Sequence, residues 1–129
     1  MKLAIVGTRN PGVSYQEWEH LLISKINVSN VSLVVSGGAK GIDTYAKLFA
    51  GRHHIPLMEY LPNYSTYGKH ATLHRNTQIV REASTVVAFP SLGSKGTFHS
   101  IREAERMKKS VIVIPIPERS DSIKLLINK

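Results

Sequence analysis

The sequence predicts an α/β fold in which a mostly parallel sheet of about five strands lies between two layers of helices. Three observations support this prediction: short apolar runs alternate with amphipathic patterns along the chain, glycine-rich turns follow several of these runs, and 129 residues suit a single domain. Alternating strands and helices favour parallel pairing with right-handed crossovers. We therefore expect residues 1–129 to form one domain.

Five segments have the composition of buried strands. Each is a short run rich in Val, Ile or Leu, which is typical of strands in a parallel sheet that is covered on both faces. The predicted strands are Lys2–Val6, Val31–Val35, Ile55–Tyr60, Thr85–Phe89 and Val111–Ile114.

The segments between these strands have the apolar spacing of helices. The predicted helices are Tyr15–Ile26, Thr44–Arg52, Ala71–Ala83 and Thr97–Lys109, with a short closing helix over Ser120–Ile127. The longest irregular segment is Leu61–His70, and loops of this length in compact domains are often functional.

Composition limits the classes of function. The net charge of +8 favours polyanionic partners, either nucleic acid or small phosphorylated ligands. No cysteine is present, which excludes disulfides and thiolate chemistry. No apolar run is long enough to span a membrane, and Met1–Gly7 is too short for a signal peptide, so we expect a cytoplasmic protein without a membrane partner.

The glycine-rich turn after the second predicted strand is the strongest candidate site. A turn of this kind at a helix start exposes unpaired backbone N–H groups, to which phosphate oxygens bind. The alternative is a tight turn in which the glycines only supply positive φ. Asp43 also has a structural explanation as a first-turn acid facing the helix dipole. The candidate residues here are Ser36, Gly37, Gly38, Ala39, Lys40 and Asp43.

Two further turns have the same character. Gly7-Thr8-Arg9 follows the first strand, where Thr8 can donate a hydrogen bond and Arg9 can contact a phosphate with two N–H groups, unless the segment is only a solvated turn. The turn after the fourth strand is polar and opens a helix. Its candidate residues are Gly93, Ser94, Lys95, Gly96 and Thr97.

Other functional patterns are weak. Glu59 lies near the place of a ribose-binding acid in a dinucleotide fingerprint, but it also suits the polar end of a strand. His70 and His74 are spaced i, i+4 without a third ligand nearby, so we expect no metal and no cofactor. Arg75-Asn76, taken alone, indicates an exposed helix face.

Taken together, these turns resemble the SLOG superfamily, a Rossmann-like group that includes DprA and the LOG phosphoribohydrolases, and most closely its small stand-alone YspA-like branch from bacteria and phages. The residues that carry the resemblance are Gly7-Thr8-Arg9, Val35–Asp43 with Ala46, Tyr67-Gly68-Lys69, Arg75-Asn76 and Gly93–Thr97. The resemblance implies a Rossmann-like three-layer α/β/α fold that binds nucleotides. It also implies that Arg75 and Asn76 belong to the site, and that the protein forms dimers or larger homo-oligomers.

The resemblance also bears on catalysis. The phosphoribohydrolase branch has a glutamate in its last loop motif that works with an arginine, and Ser100 occupies that position here. A serine does not replace a carboxylate that stabilises an oxocarbenium-like centre. If the chain is an enzyme, Arg75 and Glu103 are the candidate catalytic residues.

We therefore expect a non-catalytic sensor or sequestering protein for a nucleotide-derived ligand, such as an ADP-ribose-like molecule or a cyclic nucleotide. The alternatives are an N-glycosidase acting on nucleoside monophosphates and a DprA-like protein that binds single-stranded DNA.

Overall fold

The computed structural model describes residues 1–119 and contains a five-stranded sheet in which every pairing is parallel. The strands are β1 (Lys2–Gly7), β2 (Leu33–Ser36), β3 (Leu57–Glu59), β4 (Thr85–Phe89) and β5 (Ser110–Val113). Their order across the sheet is β3-β2-β1-β4-β5. The predicted α/β class is therefore confirmed. Because the connections diverge between β1 and β4, a crevice opens beyond the carboxyl ends of these strands.

Five helices connect and cover the strands within residues 1–119. They are α1 (Tyr15–Ile23), α2 (Ile42–Arg52), α3 (Tyr64–Tyr67), α4 (Ala71–Glu82) and α5 (Lys95–Arg106). The short helix α3 and a 3₁₀ turn at Gly68–His70 lie in the segment for which the sequence predicted irregular structure. The predicted closing helix over Ser120–Ile127 lies outside the described residues. No described helix has the length and apolar character needed to cross a membrane.

The side chains of β1 alternate between the two faces of the sheet and divide the core into two clusters. Leu3 and Ile5 pack with residues of α1 and α2, such as Trp18 and Phe49. Ala4 and Val6 pack instead with residues of α4 and α5. Period-2 alternation in a strand covered on both faces produces this division. The result is a three-layer arrangement that holds the strand-to-helix turns together at one edge of the sheet.

Several element boundaries differ from the sequence prediction because local hydrogen bonds end or begin the elements. The strand β2 begins at Leu33 rather than Val31, since the N–H of Val31 closes a 3₁₀ turn on Val28 O at 3.0 Å. Helix α2 begins at Ile42, two residues early, since Gly41 adopts φ 79° and turns the chain into the helix. Such end effects depend on contacts between segments and are weakly encoded in hydrophobic periodicity.

Candidate functional site

A cavity of about 370 Å³ lies at the carboxyl ends of β1, β2 and β4. Four segments line it, together with Glu118. They are Val6–Asn10, the glycine-rich turn with Asp43, the inner face of α4 and the start of α5. Its position is the crevice where an open parallel sheet is expected to bind ligands. Its size is within the range of small-molecule sites.

Arg75 lines this cavity and is only 6% exposed. Its Nη1 donates to the backbone carbonyl of Gly37 at 2.8 Å, and its Nε donates to Asn76 Oδ1 at 3.0 Å. These bonds fix the plane of the guanidinium, while Nη2 makes no hydrogen bond with any residue of 1–119. The side chain is therefore held in place with one edge left for an anion.

Gly37 leaves space that the guanidinium of Arg75 occupies. A Cβ atom at position 37 would lie 2.6 Å from Arg75 Nη1 and 3.0 Å from Asp43 Oδ2. The 2.6 Å contact would force the end of the Arg75 side chain to shift, and the 3.0 Å contact would crowd the Asp43 carboxylate. The glycine turn thus serves partly to admit Arg75, a role that differs from the direct phosphate contact predicted for it.

Asp43 supports the same turn from the first turn of α2. Its Oδ2 accepts a hydrogen bond from the N–H of Ala39 at 3.0 Å. Burial raises the pKa of Asp43, and the Ala39 N–H and the nearby Arg75 cation oppose that shift. Burial likewise lowers the pKa of Arg75, which Asp43 partly counteracts. Among the described residues, no ion pair joins Asp43 to Arg75. The positive charge of Arg75 is therefore not neutralised by a direct salt bridge.

Hydroxyl groups form the wall beside β1 and β4. Ser91 Oγ donates to Thr8 Oγ1 at 3.0 Å, and the N–H of Asn10 donates to the same oxygen at 3.2 Å. The N–H of Ser91 donates to Ser94 Oγ at 2.9 Å. Thr8 and Ser91 are both buried, so this network sets the distance between two of the predicted binding turns.

The start of α5 faces the cavity with free donors. The first residues of a helix have no intrahelical acceptor for their N–H groups, and Ser94 provides no side-chain cap here. The N–H of Lys95 bonds to Gly93 O at 3.0 Å, whereas those of Gly96 and Thr97 have no partner within residues 1–119. These two N–H groups and the helix dipole favour an anion at this end of the cavity.

Charged side chains complete the site. Arg9 and Lys95 line the cavity and form no salt bridge within the described part of the chain, while Asp43 and Glu118 contribute acidic groups. Three cations and two carboxylates leave the cavity with an excess of positive charge. This balance suits a ligand with few negative charges, such as one phosphodiester.

Most of the predicted site residues meet in this cavity. Those that line it are Gly7, Thr8, Arg9, Gly37, Ala39, Asp43, Arg75, Asn76, Gly93, Ser94, Lys95, Gly96 and Thr97. Ser36, Gly38 and Lys40 do not line it. Ser36 is fully buried at the end of β2, and Gly38 and Lys40 are exposed on the outer side of the turn.

Sequence reasoning missed several lining residues. Thr72 lies one helical turn before Arg75 and Asn76, so the helical spacing on α4 contained a usable signal. Asn10 follows directly on Thr8-Arg9. Glu118 reaches the cavity through an isolated antiparallel bridge between Pro11 and Glu118, a long-range contact with no local sequence signal.

The possible catalytic carboxylate Glu103 lies on α5 outside the cavity lining. Its Oε2 accepts from Arg106 Nε at 2.7 Å, and its Oε1 accepts from Thr77 Oγ1 at 2.7 Å. The hydrogen bonds from Arg106 and Thr77 lower the pKa of Glu103 to about 2. Ser100, which does line the cavity, donates to the carbonyl of Gly96 at 3.2 Å. The position expected to carry a glycosidase carboxylate therefore holds a hydroxyl engaged with its own helix.

Comparisons with known proteins place these features in context. Residues 1–58, less than half of the chain, match the family model of DNA recombination-mediator protein A. That match includes Gly7–Arg9 and the whole glycine-rich turn. No curated protein matches the sequence.

Two solved structures of DNA processing protein A share the fold, each at 22% sequence identity. The protein from Helicobacter pylori, described for its single-stranded DNA binding mode, has a TM-score of 0.68, with 99% of this chain and 72% of that chain covered. The protein from Streptococcus pneumoniae has a TM-score of 0.70, with 98% and 56% covered. The partial family match and the shared fold fit the DprA-related, Rossmann-like superfamily that the sequence motifs resemble.

Proposed function

We propose that the chain binds single-stranded nucleic acid and holds the phosphate of one nucleotide in the cavity. The observation that carries this proposal is the convergence on one space of three sets of donors that have no partner among residues 1–119: Arg75 Nη2, the N–H groups of Gly96 and Thr97, and the side chains of Arg9 and Lys95. A phosphodiester has two free oxygens and one negative charge, which these donors can satisfy together.

Two further facts support nucleic acid as the partner. The chain has a net charge of +8, and this charge attracts a polyanion at long range. The Helicobacter pylori protein, which shares the fold, is described as binding single-stranded DNA. In the binding mode we propose, the strand passes over the carboxyl edge of the sheet. It presents successive phosphates to Arg9 and Lys95, here called the basic rim.

A free nucleotide derivative is the second candidate ligand. It is favoured by the cavity volume of about 370 Å³, which is at the small end of ligand sites, and by Asp43, whose carboxylate can accept a hydrogen bond from a ribose hydroxyl. A sensor or sequestering role follows from this binding mode. The glycosidase alternative is less favoured, because its candidate carboxylate Glu103 lies outside the cavity lining, although Arg75 lies within it.

Competition binding separates the two ligands. Fluorescence anisotropy of a labelled twelve-nucleotide oligothymidylate (dT12) is expected to show saturable binding that weakens as the salt concentration rises from about 50 to about 200 mM. Unlabelled dT12 should displace the probe at much lower concentration than thymidine or adenosine monophosphate. Equal competition by a monophosphate, with no salt dependence of dT12 binding, would favour the free nucleotide instead.

Variant Arg9→Ala tests the role of the basic rim in the same assay. We expect a loss of affinity of roughly ten-fold. The slope of the logarithm of the binding constant against the logarithm of the salt concentration (the salt slope) should become smaller by about 0.7, the value for one phosphate contact to a single strand. Arg81→Ala is the matched control, since Arg81 is an exposed arginine at the far end of α4, away from the cavity. Equal losses in both variants would show that only net charge matters and would contradict a defined site.

Within this proposal, residues 1–129 act as a single nucleotide-binding domain of the YspA-like branch, cytoplasmic and assembled as a homo-oligomer. The branch and the oligomer follow from the motif resemblance, the single domain from the chain length, and the cytoplasmic location from the apolar runs, which are too short for a membrane span or a signal peptide; all four stay predictions.

A further inference from the structure

The segment that connects β3 to α4 presents large side chains to solvent beside the cavity. Leu61 is 68% exposed, Tyr64 60% and Tyr67 40%. The ring of Tyr67 stacks on that of His74 with centroids 3.8 Å apart and planes at 20°. Isolated exposed apolar residues are ordinary on protein surfaces, but a cluster next to a polar cavity is a mark of a binding surface.

This segment is attached to the same arginine that occupies the cavity. The carbonyl of Tyr60 lies 3.5 Å from Arg75 Nη1, and the same segment continues through Tyr64 and Tyr67 into α4. Leu61 packs over the outer side of the glycine turn, where its Cδ2 lies 2.8 Å from the place of a Cβ on Gly38. The start of this segment therefore lies against Arg75 and the glycine turn, on the β3 side of the cavity.

We infer that Tyr64 and the stacked pair Tyr67 and His74, here called the aromatic rim, form a stacking surface for the base next to the nucleotide whose phosphate occupies the cavity. The inference rests on the proposed function, because stacking at the rim requires a strand that continues beyond one nucleotide. Every nucleobase has a π-face, so such a surface binds without sequence preference. Tyr67 and His74 already form one stack, which a base can extend, and Tyr64 offers a second exposed ring in the same segment.

The charge around the rim matches this partner. Lys69 lies in the same segment, and the cavity contributes Arg9 and Lys95, so basic side chains that attract a phosphate backbone accompany the rings. Single-strand binding surfaces combine a basic track with aromatic platforms. An apolar protein partner would gain nothing from these cations.

The test compares dT12 with an abasic strand of the same length and charge. Tyr64→Ala and Tyr67→Ala are each expected to weaken dT12 binding roughly ten-fold, as loss of one base–aromatic stack predicts. Their affinity for the abasic strand and their salt slope should equal those of the unmodified protein. Tyr64→Phe and Tyr67→Phe keep the ring and should bind dT12 normally. Leu48→Ala, at an exposed apolar residue on α2, is the control.

The outcomes separate this inference from the proposed function. If the unmodified protein binds neither strand, the proposed function fails, and the inference fails with it. If the unmodified protein binds dT12 and both alanine variants bind it with the same affinity, the inference about the aromatic rim is wrong, while the proposed function stands. Equal losses on dT12 and on the abasic strand, in variants with unchanged thermal melting, would assign the tyrosines to backbone contacts and would also overturn base stacking.

Discussion

Replacing Arg75 with alanine is expected to weaken nucleic acid binding roughly a hundred-fold, because loss of charged hydrogen bonds to a phosphate costs about 3 kcal/mol. The same change should destabilise the fold by about 2 kcal/mol, since Gly37 O loses the donor at 2.8 Å and is left without a partner in a buried site. Asp43 also loses a cation that helps it to ionise. Thermal melting and anisotropy with dT12 measure the two effects on one sample.

Two further variants separate stability from binding. Arg75→Lys keeps the positive charge but has no planar fork, so it should fold nearly normally and still bind more weakly than the unmodified protein. Arg81→Ala removes an exposed arginine from the same helix and should change neither property. Normal dT12 binding by a folded Arg75→Ala protein would contradict the central place of Arg75 in the site.

Gly41→Ala should destabilise the protein by about 3 kcal/mol, the combined cost of positive φ in an L residue and of overpacking. Gly41 has φ 79°, and a Cβ there would lie 2.5 Å from Thr8 O and 2.6 Å from backbone atoms of Arg9. Backbone atoms cannot move aside as a flexible side chain can. The variant therefore also displaces the turn at Gly7–Arg9, and we expect it to lose dT12 binding as well.

Gly51→Ala is the matched control, because Gly51 lies within α2 and Gly41 directly precedes the first residue of that helix. No atom lies within 4 Å of a Cβ at Gly51, and its φ is not positive, so alanine should stabilise α2 by about 0.5 kcal/mol through its higher helix propensity. Urea unfolding of the two variants gives the comparison. A Gly41→Ala protein as stable as Gly51→Ala would show that the close approach of the two turns is not required for the fold.

The fold class followed directly from the sequence because every β–α alternation carried its own local signal. The runs at Lys2–Val6 and Thr85–Phe89 became central strands, which are covered on both faces and so have continuous apolar composition. The edge strand β3 is shorter than the predicted Ile55–Tyr60, and two of its three residues are exposed. Its apolar signal is weaker for that reason.

The site was predictable in its turns but not in its internal contacts. The glycines of positions 37 and 41 were noticed as phosphate-binding features, yet the structure shows them accommodating Arg75 and the backbone of Thr8-Arg9. Lys40 is exposed and does not line the cavity, although its neighbour Ala39 does, and the sequence of the turn carries no signal that separates the two. Arg75 on α4 was placed in the site only by resemblance, because helical periodicity cannot distinguish a buried functional arginine from an exposed one.

The most direct test of the proposed site is the response of individual amides to a ligand. In a ¹⁵N-labelled sample titrated with a six-nucleotide oligothymidylate, the backbone amides of Gly96 and Thr97 should show the largest shifts, because both residues line the cavity at the proposed phosphate position. The Nε–H signal of Arg75 should shift with them, because it belongs to the same guanidinium as the Nη2 donor. If these signals stay unchanged while shifts cluster elsewhere, for example around Val13 and Tyr45, the cavity is not the binding site.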